Sequence, residues 1–417
     1  MTEKIYQDWP SLLKGRRLAL IVTGGVAAFK AVDLVRRLLK AGAQVRVAMT
    51  ESATRFVGPL TFEALTHQPC VHDMWKRPQA EIAHVGWAEW AEAMIVAPAT
   101  ANFMAKAAHG LADDFASTLF LAHEGPKLMA PAMNTGMWIN PATQANASLL
   151  GQRGLKVLAP VCGKLASGRI GPGRLPNPKA LMRYATRLLT PKPFAGKTFV
   201  VTAGATRESW DDLRYLTNRS TGQMGLALAQ AAWLMGAKVF LIAGPALVDP
   251  IWSGEEFGFL TVETTQSLLE TTRARFSEAD CLIMNAAPAD FKPVKIAGKI
   301  AKNELSPLVM ALERTPDVLK TIAEAGKAPH QTVVGFAAES EDAVARAWAK
   351  LKDKGLDYVA ANQAGGPGSA FGSPNTHIWL LNKNGEKTEI GPGPKFGAAW
   401  ALLEKLAEDL DGGGAVA

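Results

Sequence analysis

The sequence predicts an α/β protein of two doubly wound parallel-sheet domains, on three observations. A pattern of strand, glycine turn, helix, glycine and strand opens the chain and recurs near its middle. The apolar runs after each opening lack the alternation of half-exposed strands, as expected of parallel strands covered on both faces. Between the two sets, "LLTPKPFAGK" at 188–197 sets two prolines after a helical stretch, which marks a boundary near residue 190.

In the first opening, "RRLALIVTGGVAAFKAVDLVRRLLKAGAQVRVAMT", an apolar strand runs into Thr-Gly-Gly. A helix follows with Val32, Val35 and Leu39 on one face, Gly42 ends it, and "AQVRVAM" is the next strand. In the second, "GKTFVVTAGATRE" leads to a helix with Met224, Leu228, Ala231 and Met235 as its stripe. Gly236 ends that helix and "AKVFLIAG" follows as a strand. Each opening is a βαβ unit. Later strands are expected at "AMIVAPAT", "KLMAPAMN" and "LKVLAPV", then at "DCLIMNAAPAD", "QTVVGFAAE" and "LDYVAAN". "NTHIWLLNKNGEKTEI" reads as a hairpin turning at Asn384-Gly385. The domains are therefore residues 1–190 and 191–417, with a disordered "DGGGAVA" tail.

Of 417 residues, 48% are apolar and 20% charged, the balance of a soluble globular protein. The net charge of +7 is spread along the chain. A solvated surface accounts for it; a field that attracts anionic small molecules is the alternative. No zinc-ligand spacing, aromatic–basic ladder or Lys/Arg run points to nucleic acid. Three scattered cysteines, Cys70, Cys162 and Cys281, make no disulfide framework and suit a reducing cytoplasm. "GRRLALIVTGGVAAF" has the outline of a signal peptide, but an amphipathic helix follows at once, so a buried first strand explains it better. No segment has the roughly eighteen apolar residues of a membrane span.

Ligands of such sheets sit beyond the carboxyl ends of the strands. "TGGVAAFK" is similar to a phosphate-cradling turn at a helix N-terminus, although glycine turns between strand and helix are common. "AHVGWAEWAEAMIVAPATAN" sets His84 before a helix leading to a strand that ends Ala97-Pro98-Ala99-Thr100. "APAMNTGMW" ends the next strand with Met133 and Asn134. Singly, these have ordinary readings as a capping histidine and a turn asparagine. Together they resemble the flavin-containing cysteine decarboxylases, the family of phosphopantothenoylcysteine decarboxylase. The marks are a histidine ahead of Trp90-Ala91, the Ala-Pro-Ala-Thr strand end, and Pro131, Ala132, Asn134 and Met137 in a Pro-Ala-X-Asn-X-X-Met segment.

The resemblance implies a flavodoxin-like flavoprotein domain with bound FMN. Its phosphate would lie at Gly24, Gly25, Val26 and Ala27, and its ring near Thr50, Pro98, Ala99, Thr100 and Met133. It implies oxidation of the substrate's cysteine side chain to a thioaldehyde, loss of carbon dioxide, then protonation and reduction of the ene-thiolate. His84 would be the base, Asn134 would hold the substrate carboxylate, and Met137 and Arg174 would touch substrate.

"CGKLASGRIGPGR" reads as a mobile flap over that substrate. The family typically carries Ala-Cys-Gly ahead of Gly-X-Gly-Arg; here Ala166, Ser167 and Gly168 precede Gly171, Gly173 and Arg174. The proton-donating cysteine therefore falls on Ser167. A thiol ionises near pH ~8.5, and a serine hydroxyl is far less acidic. Three outcomes stay open: serine relays a proton, Cys162 swings in from the flap, or the reaction stalls and releases the ene-thiol.

"VTAGATRESWDDLRYLTNRSTGQMG" sits where a nucleotide loop belongs, with Arg207, Arg214 and Arg219 able to neutralise phosphates; solvated arginines would look the same. Polar sets "NAAPADFKP", "KIAKNE" and "GFAAE" follow, and Lys350 and Lys354 stand four apart on one helix face. The set resembles phosphopantothenate–cysteine ligase, fused behind the decarboxylase as in the bifunctional bacterial coenzyme A enzymes. The shared marks are Thr-Ala-Gly-X-Thr-Arg-Glu, Ala-Ala-X-Ala-Asp, Lys-Ile-X-Lys, Pro-Asp-X-(Val/Leu) and Val-Gly-Phe-Ala-Ala-Glu.

This likeness implies a Rossmann-like ligase domain. There 4′-phosphopantothenate attacks the α-phosphate of CTP, with Mg²⁺, and cysteine then displaces CMP from the acyl-cytidylate. By position, Asn218 binds the acyl-cytidylate and Lys302 assists its conversion. Asp290, Pro316, Asp317, Val318, Leu319, Phe336, Lys350 and Lys354 hold CTP, with Asn285 and Ala286 near the base. Gln363 departs from the family's usual Asp, and metal ligands are not assigned. The product of the second half is the substrate of the first. The family also implies a homo-oligomer, with trimeric decarboxylase and dimeric ligase domains.

Two other classes compete. A dinucleotide-dependent dehydrogenase would explain the βαβ openings but lacks Gly-X-Gly-X-X-Gly and leaves Pro-Ala-Met-Asn without a role. An active ligase with an impaired or regulatory flavin half would rest on Ser167 alone, against His84, Asn134 and Lys302.

Overall fold

The computed structural model describes residues 10–75, 83–247, 256–299, 310–339, 342–363 and 372–412. The tail beyond residue 412 lies outside them. The chain divides into two compact units, Met1–Thr190 and Pro191–Ala417.

In the first unit, β1 (Arg17–Val22), β2 (Gln44–Met49), β3 (Ala93–Ala99), β4 (Lys127–Pro131) and β5 (Lys156–Val157) form a parallel sheet in the order β2-β1-β3-β4-β5. This is the flavodoxin-like order, with its reversal between β1 and β3. The missing alternation has its cause here: Leu18, Leu20 and Val22 enter one core, Ala19 and Ile21 the other. Helices Phe29–Lys40 and Pro178–Leu189 cover the first face, and Ala101–His109 and Phe115–Ala122 the second. Helix Phe29–Lys40 buries Ala31, Leu34, Val35 and Leu38, while Val32 and Leu39 sit at the edges of that face. The buried set runs i, i+3, i+4, i+7 from an alanine, whose small side chain hides the stripe's phase in the sequence.

An antiparallel hairpin of β6 (Val161–Lys164) and β7 (Ile170–Arg174) follows. Its loop is Ala166-Ser167-Gly168: the Gly168 N–H donates to the Leu165 carbonyl at 2.9 Å, and Gly168 has φ +82°. That left-handed residue is what a three-residue hairpin loop requires. The expected flap is thus a built hairpin with Ser167 at its tip.

In the second unit the strands are β8 (Thr198–Ala203), β9 (Arg207–Ser209), β10 (Tyr215–Thr217), β11 (Lys238–Ala243), β12 (Phe257–Thr261), β13 (Cys281–Met284), β14 (Phe291–Pro293), β15 (Leu312–Arg314), β16 (Thr332–Glu339), β17 (Tyr358–Gln363), β18 (Asn375–Asn382) and β19 (Lys387–Pro394). The main sheet runs β12-β11-β8-β13-β16-β17-β18-β19. Its first six strands are parallel in the Rossmann-like order, reversing between β8 and β13. The hairpin expected at Asn384-Gly385 extends this sheet antiparallel to β17. Helix Gln223–Leu234 is buried all round rather than along one stripe; it packs on β8 and β11 and against helix Lys395–Gly412, which itself packs on β18 and β19. Gly225 allows its close approach: a Cβ there would lie 2.5 Å from Ala203 Cβ. Among the described residues, no helix is long and apolar enough to cross a membrane.

Asp357, at the start of β17, pins three segments. Its carboxylate accepts from the Val333 N–H at 2.9 Å, from Lys383 Nζ at 3.0 Å and from Lys327 Nζ. Burial works against its charged form, but these donors outweigh it and hold its pKa below the ordinary value. Such a group stabilises the fold fully above its unfolded pKa and stops doing so as pH falls through the lower folded one. Asp357→Ala is therefore expected to cost about 2 kcal/mol at neutral pH. Urea denaturation across a pH series should show the difference from wild type shrinking below pH ~4; a difference independent of pH would contradict the assignment.

Candidate active sites

Each sheet carries a cavity at the carboxyl ends of its strands, where the strand order reverses. In the first unit it encloses about 550 Å³. Gly24, Gly25, Val26 and Ala27 form one wall, between β1 and helix Phe29–Lys40. Gly24 is required by close approach, since a Cβ would lie 2.3 Å from Ser52 Oγ. Thr23, just before it, joins the two strands at the reversal: its hydroxyl donates to the Pro98 carbonyl at 2.7 Å and accepts from the Thr100 N–H at 2.9 Å. Thr100 in turn caps helix Ala101–His109 and lines the cavity.

The opposite wall holds Met133, Asn134, Met137, Ser167 and Arg174. The Met133 N–H donates to the Gly173 carbonyl at 3.0 Å, and a Cβ on Gly173 would lie 2.2 Å from the Met133 carbonyl oxygen. A Cβ on Gly171 would lie 2.6 Å from Thr135 Oγ1. The glycines of "IGPGR" thus let the hairpin seat against the end of β4. Asn134 Oδ1 accepts from the Gly136 N–H at 2.9 Å, and its Nδ2 donates to Ser167 Oγ at 3.3 Å. With Asn134 as donor, the Ser167 hydroxyl proton remains available to a ligand. Cys162 is exposed on β6 and does not line this cavity.

Lys30 also lines it, and the sequence reading passed over this residue although it closes "TGGVAAFK". Burial, and then the charge of Arg174, push its pKa down. Two cations facing one cavity favour an anionic ligand. Other expected residues lie elsewhere. Pro98 and Ala99 are buried behind the wall, where the Ala99 carbonyl accepts from the Ala132 N–H. Thr50 lines a neighbouring cavity that meets the first at Thr100. His84, half-buried on helix Ala83–Trp90, lines neither. Its helix is anchored by Trp87, edge-on to Phe115 at 5.5 Å, and by the Ala88 carbonyl, which lies 3.0 Å from His123 Nδ1.

The second cavity, about 560 Å³, brings together Asn218, Asn285, Ala286, Asp290, Pro316, Asp317, Val318, Leu319, Phe336, Lys350 and Lys354. Lys302 lies outside the described residues. Asn218 Nδ2 donates to the carbonyls of Ala287 at 3.2 Å and Pro288 at 2.9 Å. Asp317 caps helix Val318–Glu324 and pairs with Lys354 Nζ at 2.7 Å. Burial opposes its charge, but Lys354 and the Lys320 N–H outweigh that and hold its pKa below the ordinary value. Lys350 Nζ donates to the Phe336 carbonyl. Of the three arginines expected at phosphates, Arg219 lines the cavity. Arg207 lies over Tyr215 at 4.6 Å, and Arg214 lies over Trp210 and pairs with Asp211 at 3.4 Å. Thr315 and Lys395 line the cavity without having been expected, and burial pushes the Lys395 pKa down. Thr315 directly precedes the expected Pro316–Leu319 set, whereas nothing in the local sequence marks Lys395. Among the described residues, no group of three His, Cys, Asp or Glu side chains is placed to hold a metal ion.

Comparison with known proteins follows the same division. Residues 8–190 match the Flavoprotein family, and residues 194–410 match the C-terminal domain of the DNA/pantothenate metabolism flavoproteins. The chain is 40% identical over 400 residues to the coenzyme A biosynthesis bifunctional protein CoaBC of Bacillus subtilis (strain 168), covering 95% of this chain and 98% of that protein. A solved C-terminal domain of a CoaBC protein is 30% identical, covering 53% of this chain and 98% of that one, with a TM-score of 0.44. The FMN-dependent cysteine decarboxylase SpaF is 32% identical, covering 43% of this chain and 97% of that one, with a TM-score of 0.37. By its identity to a CoaBC protein over nearly its whole length, the chain belongs to the CoaBC family of bifunctional coenzyme A biosynthesis proteins.

Proposed function

We propose that residues 191–417 join 4′-phosphopantothenate to cysteine through an acyl-cytidylate made from CTP, and that residues 1–190 decarboxylate the product to 4′-phosphopantetheine with FMN. The observation that carries this reading is the second cavity: residues scattered from Asn218 to Lys354, each named by the likeness to the ligases, line one space. There the substrate carboxylate bonds to the α-phosphorus as pyrophosphate leaves. The amine of cysteine then bonds to the acyl carbon as CMP leaves, and the amine proton passes to water. Lys350 and Lys354 supply positive charge for the phosphates, and Asp317 fixes Lys354. Mg²⁺ accompanies the triphosphate. Asn218, with its amide N–H groups engaged, offers its oxygen to the acyl-cytidylate. Lys302 is assigned to the conversion of that intermediate.

The Gly24–Ala27 turn fits a flavin phosphate, because it has no room for a side chain at Gly24 and opens a helical segment whose first N–H groups lack intrahelical acceptors. FMN supplies reversible two-electron oxidation of the substrate's cysteine side chain. Lys30 and Arg174 hold an anionic group of the substrate, and Asn134 orients the carboxylate that is lost. Ser167, accepting from Asn134, donates its own proton toward the substrate. His84 is assigned as the base. Since it lines neither cavity of a single chain, the proposal includes a homo-oligomer in which another copy brings its histidine, trimeric through this unit and dimeric through the other. Three free thiols, Cys70, Cys162 and Cys281, suit a cytoplasmic setting. Ser167 also favours a second reading, in which its weak acidity leaves the first unit releasing the ene-thiol.

Two outcomes follow. Gly24→Ala, whose Cβ meets Ser52, is expected to lower the thermal unfolding temperature and to weaken FMN binding at least about tenfold at a temperature where the variant is folded, read by flavin fluorescence; unaltered flavin affinity would contradict the phosphate assignment. In an assay of CTP, 4′-phosphopantothenate and cysteine, CMP and phosphopantothenoylcysteine should form together. Lys354→Met should raise the KM for CTP about tenfold and leave that for 4′-phosphopantothenate nearly unchanged. Product formation without CTP, or an equal rise in both constants, would overturn the reading.

A further inference from the structure

Behind the wall of the second cavity lies a chain of buried polar groups for which the reaction supplies no role. Glu208 is 5% exposed, Thr206 1% and Thr265 not at all. Glu208 Oε1 accepts from the Thr265 N–H at 2.7 Å and from the Thr265 hydroxyl at 2.8 Å. The Thr206 and Thr265 hydroxyls lie 3.1 Å apart. The Ala289 N–H donates to Thr206 Oγ1 at 3.0 Å.

Elementary hydrogen-bond accounting orders these protons. A carboxylate oxygen only accepts, so the Thr265 proton points to Glu208. The Thr206 proton then points to Thr265, which leaves the Thr206 lone pairs for the Ala289 N–H. The Ala289 carbonyl is held from the other side by the Thr315 hydroxyl, and the Thr315 N–H donates to the Asp290 carbonyl at 3.1 Å. The Ala289 N–H is thereby held by the Thr206 hydroxyl, and its carbonyl by the Thr315 hydroxyl with the Thr265 hydroxyl 3.3 Å away. The same turn carries the Ala287 and Pro288 carbonyls that hold Asn218, and Asp290, which lines the cavity.

We infer that Glu208 is a positioning residue for the ligase reaction: acting through Thr265 and Thr206, it fixes the Ala287–Asp290 turn and so sets the placement of Asn218 and Asp290 against the nucleotide. The inference rests on the CTP reading for its kinetic consequence, not for its structural one. Loss of the Thr206 hydroxyl leaves the Ala289 N–H without its acceptor in a water-excluded place, and loss of Glu208 leaves the Thr265 N–H and hydroxyl without theirs; in either case the turn loosens while the sheet beneath it stays packed.

The test uses the full chain in two measurements. Hydrogen exchange of the ligand-free protein is followed in segment 285–290 for Glu208→Ala, Glu208→Gln, Thr206→Val and Thr206→Ser. Glu208→Ala and Thr206→Val should raise exchange there about tenfold, with strands β8 and β13 unchanged. Glu208→Gln and Thr206→Ser, which keep an acceptor and a hydroxyl, should restore protection. Should Glu208→Ala fail to fold, the nearly isosteric Thr206→Val carries the test. Steady-state kinetics should then show the KM for CTP rising about tenfold in the loosened variants, with kcat within about threefold of wild type. Unchanged exchange in Thr206→Val, or a rise spread equally over the sheet, would overturn the inference. Loosened exchange with unaltered kinetics would remove the positioning role. Wild-type protein that neither binds nor turns over CTP would instead count against the ligase reading and leave the exchange result standing.

Discussion

In both units a threonine hydroxyl at the end of the first sheet strand clamps the backbone that leaves the neighbouring strand across the reversal of strand order. Thr23 joins the end of β1 to Pro98 and Thr100 after β3. Thr202 accepts from the Ala286 N–H at 3.0 Å and so joins β8 to the segment after β13. Parallel sheets leave their last carbonyls and amides pointing into the crevice where ligands bind, and those groups need partners that do not fill it. A short hydroxyl side chain meets both demands. The rest of each site is built outward from that clamp: Thr100 and the Gly24 turn in one, Asn285 to Asp290 in the other.

The fold was largely legible because its signals are local. Both βαβ openings, the boundary prolines and the Asn384-Gly385 turn each lie within a few residues of what they determine. The burial of helix Gln223–Leu234 on every side was not, since it depends on a helix that arrives some 160 residues later (395 to 412). The phase of helix Phe29–Lys40 was misread because Ala31 carries little hydrophobic weight in the sequence and packs fully in the core.

The sites divide the same way. Asn134, Asn285 and Asp290, which come soon after strand ends, were singled out by the resemblance, and each lines a cavity. Lys30, Thr206 and Glu208 stand inside quoted motifs and were passed over; their contacts, like those of Thr315 and Lys395, arise only where distant segments meet. Arg207 and Arg214 do not line the cavity, and an aromatic ring or a carboxylate nearby already holds each of them. The resemblance assigned His84 as the base, and a single chain does not bring it to the cavity that holds Asn134.

The chemistry of the first unit turns on Ser167. The hairpin is seated by two glycines, Gly171 and Gly173, against the end of β4, and its tip hydroxyl meets Asn134 directly, whereas Cys162 lies exposed on the strand. In the proposed reaction the serine therefore delivers the last proton. The measurement that tests this most directly is mass spectrometry of the product formed by the purified protein with FMN, Mg²⁺, CTP, cysteine and 4′-phosphopantothenate. The account predicts 4′-phosphopantetheine, lost in Ser167→Ala and kept in Cys162→Ala. A product two hydrogens short of it, in the wild-type protein, would contradict that role for Ser167, and phosphopantothenoylcysteine accumulating untouched would contradict decarboxylation by this chain.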